Sequence, residues 1–63
     1  MPYINITLFE GNSQERKERI ARKITDVIIE EAGVPEQNIW VTFNDIPKSD
    51  WSIAGKMCGK KAE

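Results

Sequence analysis

A chain of 63 residues makes one small domain, and a domain of this size buries only about 60% of its unfolded surface, so its stability calls for something beyond its own core. One cysteine and no histidine leave neither a disulfide framework nor a zinc site, and oligomerisation is the remaining common route. Nine Lys plus Arg against ten Asp plus Glu give a net charge of -1, which argues against a nucleic-acid module with its basic stripe; the chain shows no signal peptide and no apolar run near the length of a membrane span. A soluble cytoplasmic protein is expected, and the lone Cys58, suited to a reducing compartment, is given no role.

Pro2 stands before an alternating segment in which Ile4, Ile6 and Leu8 point one way and Tyr3, Asn5 and Thr7 the other, the pattern of a strand with unequal faces. Glu10, Gly11, Asn12 and Ser13 break it. Asn12 or Ser13 can cap a helix, and Glu15, three residues after Asn12, suits a capping box. The helix is expected over Gln14–Ala32, with Ile20, Ile24, Val27, Ile28 and Ala32 on its apolar stripe, Gly33 at its left-handed end and Pro35 blocking continuation.

A second strand is expected over residues 39–44, with Ile39, Val41 and Phe43 facing one way and Trp40, Thr42 and Asn44 the other, and with Pro47 as its stop. Residues 50–55 read as a turn-rich segment able to form a small hairpin. Residues 56–63 have no periodicity and are expected on the surface or frayed.

These elements make a single α+β domain over residues 1–63: one βαβ unit with parallel strands, right-handed, followed by a short C-terminal hairpin. One helix covers one face of such a sheet. The opposite face keeps Tyr3 and Trp40, and both strands present open edges, so copies of the chain are expected to pair edge to edge and then stack.

The chain resembles the 4-oxalocrotonate tautomerase family along nearly its whole length. The resemblance is carried by Met1-Pro2 before an alternating strand, Leu8-Phe9-Glu10-Gly11 at its end, a helix of about 20 residues, Gly33-Val34-Pro35, Ile39-Trp40-Val41, Asp45-Ile46-Pro47 and Asp50-Trp51-Ser52-Ile53-Ala54-Gly55. It implies βαβ subunits assembled as a hexamer, a trimer of dimers, and cofactor-independent tautomerisation of a small molecule with the amino-terminal proline as general base. That role falls to Pro2 once Met1 is removed. An internal proline nitrogen is an amide and binds no proton usefully, whereas a processed terminus is a rigid secondary amine fixed by its strand. An ordinary α-amino group has a pKa of about 7.7–8.0, and apolar surroundings disfavour its charged form. By resemblance, Trp51 stands where family members place an aromatic beside the proline, and Trp51 and Ile53 are expected as pocket walls.

Two positions depart from the family pattern. Well-studied members carry an arginine directly after the Glu-Gly pair and another early in the last main strand, where this chain has Asn12 and Trp40. Neither side chain forms the charged fork that grips a carboxylate. Both are expected to touch substrate in other ways, Asn12 through a hydrogen bond and Trp40 as pocket lining, which points to a less charged, aromatic substrate. Arg16, Arg19, Lys48 and Lys56 are the cations placed to compensate. The other readings are a tautomerase fold without chemistry, kept as a binding or structural oligomer, and a β-ribbon DNA-binding dimer, which the acidic balance disfavours.

Overall fold

The computed structural model describes residues 2–59. In chain order it contains β1 (Tyr3–Phe9), α1 (Gln14–Ala32), β2 (Trp40–Ile46), β3 (Ser52–Ile53) and β4 (Lys56–Met57). Strands β1 and β2 are parallel, in register from Tyr3 opposite Trp40 to Phe9 opposite Ile46, and β3 pairs with β4 antiparallel. The architecture is the α+β one read from the sequence: one βαβ unit with a C-terminal hairpin.

Local chemistry sets the boundaries. Ser13, not Asn12, caps α1: its Oγ accepts the N–H of Arg16 at 3.1 Å. Arg16 therefore occupies the third helical position, and no capping box forms with Glu15. At the other end Gly33 takes φ 68° and donates its N–H to the Ile29 carbonyl at 3.0 Å, the left-handed stop that a side chain would strain. Two short 3₁₀ turns that no periodicity announces, Glu36–Asn38 and Lys48–Asp50, each follow a proline (Pro35 and Pro47) held in extended conformation. Ile39 closes the first turn through its N–H to the Glu36 carbonyl, so β2 starts at Trp40. The strand runs on past Asn44 because Leu8 and Phe9 still offer partners to Asp45 and Ile46.

The tail expectation needs correction at its start. Lys56 and Met57 form β4, because Ala54 and Gly55 both take positive φ (54° and 83°) and turn the chain in two residues. Two-residue strands carry no readable alternation. Residues 60–63 lie outside the described residues.

Ile4, Ile6, Leu8, Val41 and Phe43 lie beneath α1, yet none of the described residues is fully buried. The thinnest dimension is 14 Å, and the radius of gyration is 15.1 Å, against about 11 Å for a compact chain of this length. One helix over two strands leaves flanks open. Val27, expected on the covered stripe, is 55% exposed, and Ala32 is exposed as well; Ala21 and Ile29 take the sheltered places beside Ile20, Ile24 and Ile28. The sheltered face is rotated around the helix relative to the expected stripe, away from Val27 and toward Ala21 and Ile29. Lys17 is paired with Asp45 across the helix–sheet seam, and Arg22 binds both Asp26 and Glu36 at 2.7 Å, tying α1 to the turn that precedes β2.

Candidate active site

The predicted site residues fall at two ends of the sheet. Pro2 lies half-buried just before β1, and its carbonyl accepts the Trp40 N–H at 3.0 Å, so the first bond of the parallel pair fixes it. The Trp40 main chain is thereby joined to Pro2 at the start of β2, and Trp40 is 57% exposed. The register places Tyr3 beside it, itself 55% exposed.

Beyond these rings the outer face of the sheet turns polar. Tyr3 Oη lies 2.8 Å from Thr42 Oγ1, and Asn44 Nδ2 donates to Asn5 Oδ1 at 2.8 Å. Cross-strand pairing thus satisfies the groups that alternation placed outward.

At the far end of β1, Phe9 is the hub. Trp51 packs on its ring with centroids 4.5 Å apart and planes tilted by 54°, and the Lys48 ammonium lies 5.6 Å from the ring centroid. Asn12 Nδ2 donates to the Phe9 carbonyl at 3.0 Å, while Asn12 Oδ1 accepts from Arg16 Nη1 at 3.0 Å. Asn12 is thus occupied, but not as the helix cap the sequence suggested. Ile53, 62% exposed, follows Trp51 on the hairpin, whose base is pinned by the Cys58 N–H to the Trp51 carbonyl at 2.8 Å.

Pro2 and Phe9 are seven residue steps apart along an extended strand, about 23 Å at about 3.3 Å per residue. Trp51 and Asn12 therefore stand at the end opposite to Pro2, and a single chain brings only Trp40 of the predicted residues to the proline. Phe9 escaped the sequence reading. Its signal was parity: it shares the outward-facing positions of Tyr3, Asn5 and Thr7, and a large aromatic there at a strand end needs a cover. The groove on the helix side, lined by Gln14, Lys17, Glu18, Ala21 and Phe43, holds none of the predicted site residues. Among the described residues no group of three or more His, Cys, Asp or Glu is placed to hold a metal ion, and no helix is long and apolar enough to cross a membrane.

Residues 2–61 match a family model described as tautomerase enzyme. The chain belongs to the tautomerase family. It is 44% identical over 57 residues, 90% of this chain and 93% of the relative, to a Streptococcus pyogenes serotype M3 protein named "probable tautomerase". It is 40% identical over 55 residues, 87% of each chain, to the 2-hydroxymuconate tautomerase of Comamonas testosteroni. Its fold is similar to that of a heterohexamer 4-oxalocrotonate tautomerase from Chloroflexus aurantiacus J-10-fl, with a TM-score of 0.86, 26% identity, and 92% of this chain and 94% of that one covered. In this tautomerase Pro2 and Trp40 stand at one end of the sheet and Asn12 and Trp51 at the other.

Proposed function

We propose that this tautomerase interconverts keto and enol forms of a small 2-oxo or 2-hydroxy-enoate or aromatic enol acid without a cofactor, with Pro2 as the general acid and base after removal of Met1. The observation that carries this reading is the anchoring of Pro2 at the start of the sheet, where its carbonyl accepts the Trp40 N–H at 3.0 Å. As a terminal secondary amine, the Pro2 nitrogen takes one proton from the substrate's hydroxyl or α-carbon. The resulting ammonium returns one proton to another atom of the same conjugated system, and the composition of the substrate is unchanged.

The separation of Pro2 from Trp51 makes the site composite. A second copy supplies the Phe9–Trp51 end, with Ile53 and Asn12, to the proline of the first, and Trp40 closes the proline's own side. A hexameric assembly, as named for the Chloroflexus relative, supplies such copies and covers the open outer face of the sheet. The chemistry named for the Comamonas relative supports the enol-acid substrate class. A cytoplasmic location agrees with the single thiol.

The test is intact mass of the purified protein followed by ketonisation of 2-hydroxymuconate and enolisation of phenylpyruvate, with Pro2→Ala alongside. Loss of Met1 together with a Pro2→Ala rate at least about 100-fold down supports the reading, general acid–base groups being worth about 10²–10⁴. A processed chain that turns over neither compound, or a Pro2→Ala variant at full rate, sinks it and leaves a binding or structural oligomer.

A further inference from the structure

The cations of the chain differ in what holds them. The Lys17 ammonium is paired with Asp45, and the Arg22 guanidinium with Asp26 and Glu36. Among the described residues Arg16 has no carboxylate partner; its guanidinium is held instead by the neutral Asn12 carboxamide at 3.0 Å. That difference matters chemically, because a carboxamide orients a guanidinium without cancelling its charge, and one accepted N–H leaves four of the five donors open. Asn12 is fixed from its other side by the Phe9 carbonyl, so its oxygen faces Arg16. The same Phe9 carries Trp51 on its ring. An oriented, unneutralised fork is thus linked through Asn12 to the main chain of the residue that carries the aromatic pair. At the Pro2 end, the residue bonded to the proline through its main chain is Trp40, whose side chain is neutral.

Resting on the reading above, we propose that Arg16, positioned by Asn12, binds the substrate carboxylate in the composite site, and that the preferred substrate is a monocarboxylate with an apolar or aryl body. The carboxylate meets the Arg16 fork, the body lies against Phe9 and Trp51, and the reacting carbon reaches the Pro2 nitrogen of the adjoining copy. Lys48 contributes a point charge over the Phe9 ring and lacks the planar fork that matches two carboxylate oxygens. A dicarboxylate leaves its second charge against Trp40, unpaired and partly desolvated, which disfavours it.

The experiment compares an arylpyruvate enol acid with its methyl ester in wild type, Arg16→Gln, Arg16→Lys, Asn12→Ala and Lys48→Gln. Arg16→Gln is expected to raise KM for the acid about 10- to 100-fold, the range of a charged hydrogen bond, with kcat moved by less than about threefold. The loss is expected to be at least about tenfold larger for the acid than for the ester. Arg16→Lys recovers part of the preference, and Asn12→Ala shows the same pattern at smaller amplitude. Equal losses on acid and ester, or a loss of preference in Lys48→Gln and not in Arg16→Gln, overturn the proposal.

Calorimetric titration of trans-cinnamate into Pro2→Ala separates this inference from the tautomerase reading, since binding needs no base. Cinnamate bound by Pro2→Ala and lost on adding Arg16→Gln supports the carboxylate site even if wild type turns nothing over. Pro2-dependent turnover with cinnamate binding indifferent to Arg16, or with no cinnamate binding, leaves the tautomerase and removes the Arg16 site.

Discussion

Replacing Trp40 by alanine is expected to loosen the assembly far more than the subunit. In the single chain Trp40 is 57% exposed, so of roughly 250 Å² on a tryptophan about 140 Å² is left for a second copy to cover. At about 25 cal/mol per Å² that covering stabilises the contact by about 3.5 kcal/mol, of which an alanine methyl retains little. A loss of about 3 kcal/mol per subunit raises the dissociation constant about 100-fold. Sedimentation velocity over a dilution series reads this directly as a shift of the dissociation midpoint to higher protein concentration. At concentrations well above that midpoint the far-ultraviolet circular dichroism should match wild type, because Trp40 lies on the face that α1 does not touch. A Trp40→Ala protein that dissociates at the wild-type concentration refutes the reasoning, since the outer face would then not be an interface.

Three further substitutions test local claims, each read at fixed protein concentration. Ser13→Ala removes the acceptor of the Arg16 N–H and should cost about 1 kcal/mol, lowering Tm by about 4–8 °C in a domain of this size; an unchanged Tm shows that Ser13 is not the effective cap. Ala54→Asn relieves a side chain held at φ 54° and should raise stability by about 1 kcal/mol, because Asn-Gly suits a two-residue turn with positive φ at both positions; a lower Tm contradicts that turn. Phe9→Ala removes the ring under Trp51 and, in a Trp40→Phe background with one indole left, should shift the fluorescence emission to the red; no shift means that Trp51 is sheltered by something other than Phe9.

The elements that were legible in the sequence are those fixed by long periodicity or by a single conformational demand. Alternation at Ile4, Ile6 and Leu8 and at Val41 and Phe43 marked both strands, and Gly33 with Pro35 marked the end of α1. Features set by contacts between distant residues were not legible. Whether Asn12 or Ser13 caps α1 depends on the Phe9 carbonyl drawing the Asn12 amide away, and the end of β2 depends on how far β1 offers partners. The two-residue strands β3 and β4 are too short to show a period at all.

The site divides in the same way. Pro2 and Trp40 were legible as candidates, and the register explains why they meet: Tyr3 opposite Trp40 brings the preceding carbonyl to the Trp40 N–H. The alternation also showed that one helix could not cover Trp40. What it could not show is that Trp51 and Asn12 belong to the other end of the strand, or that Phe9 joins them. That follows from the rise of an extended chain together with a ring contact between residues 42 positions apart.

The composite site is tested most directly by subunit mixing. Pro2→Ala and Trp51→Ala are unfolded together, refolded as a mixture and assayed against each parent refolded alone. If the proline of one copy works with the Trp51 end of another, each mixed pair rebuilds one intact site of two, and random pairing should restore roughly a quarter of the wild-type rate. A mixture no more active than the sum of its parents would contradict the composite site and place the whole chemistry within one chain.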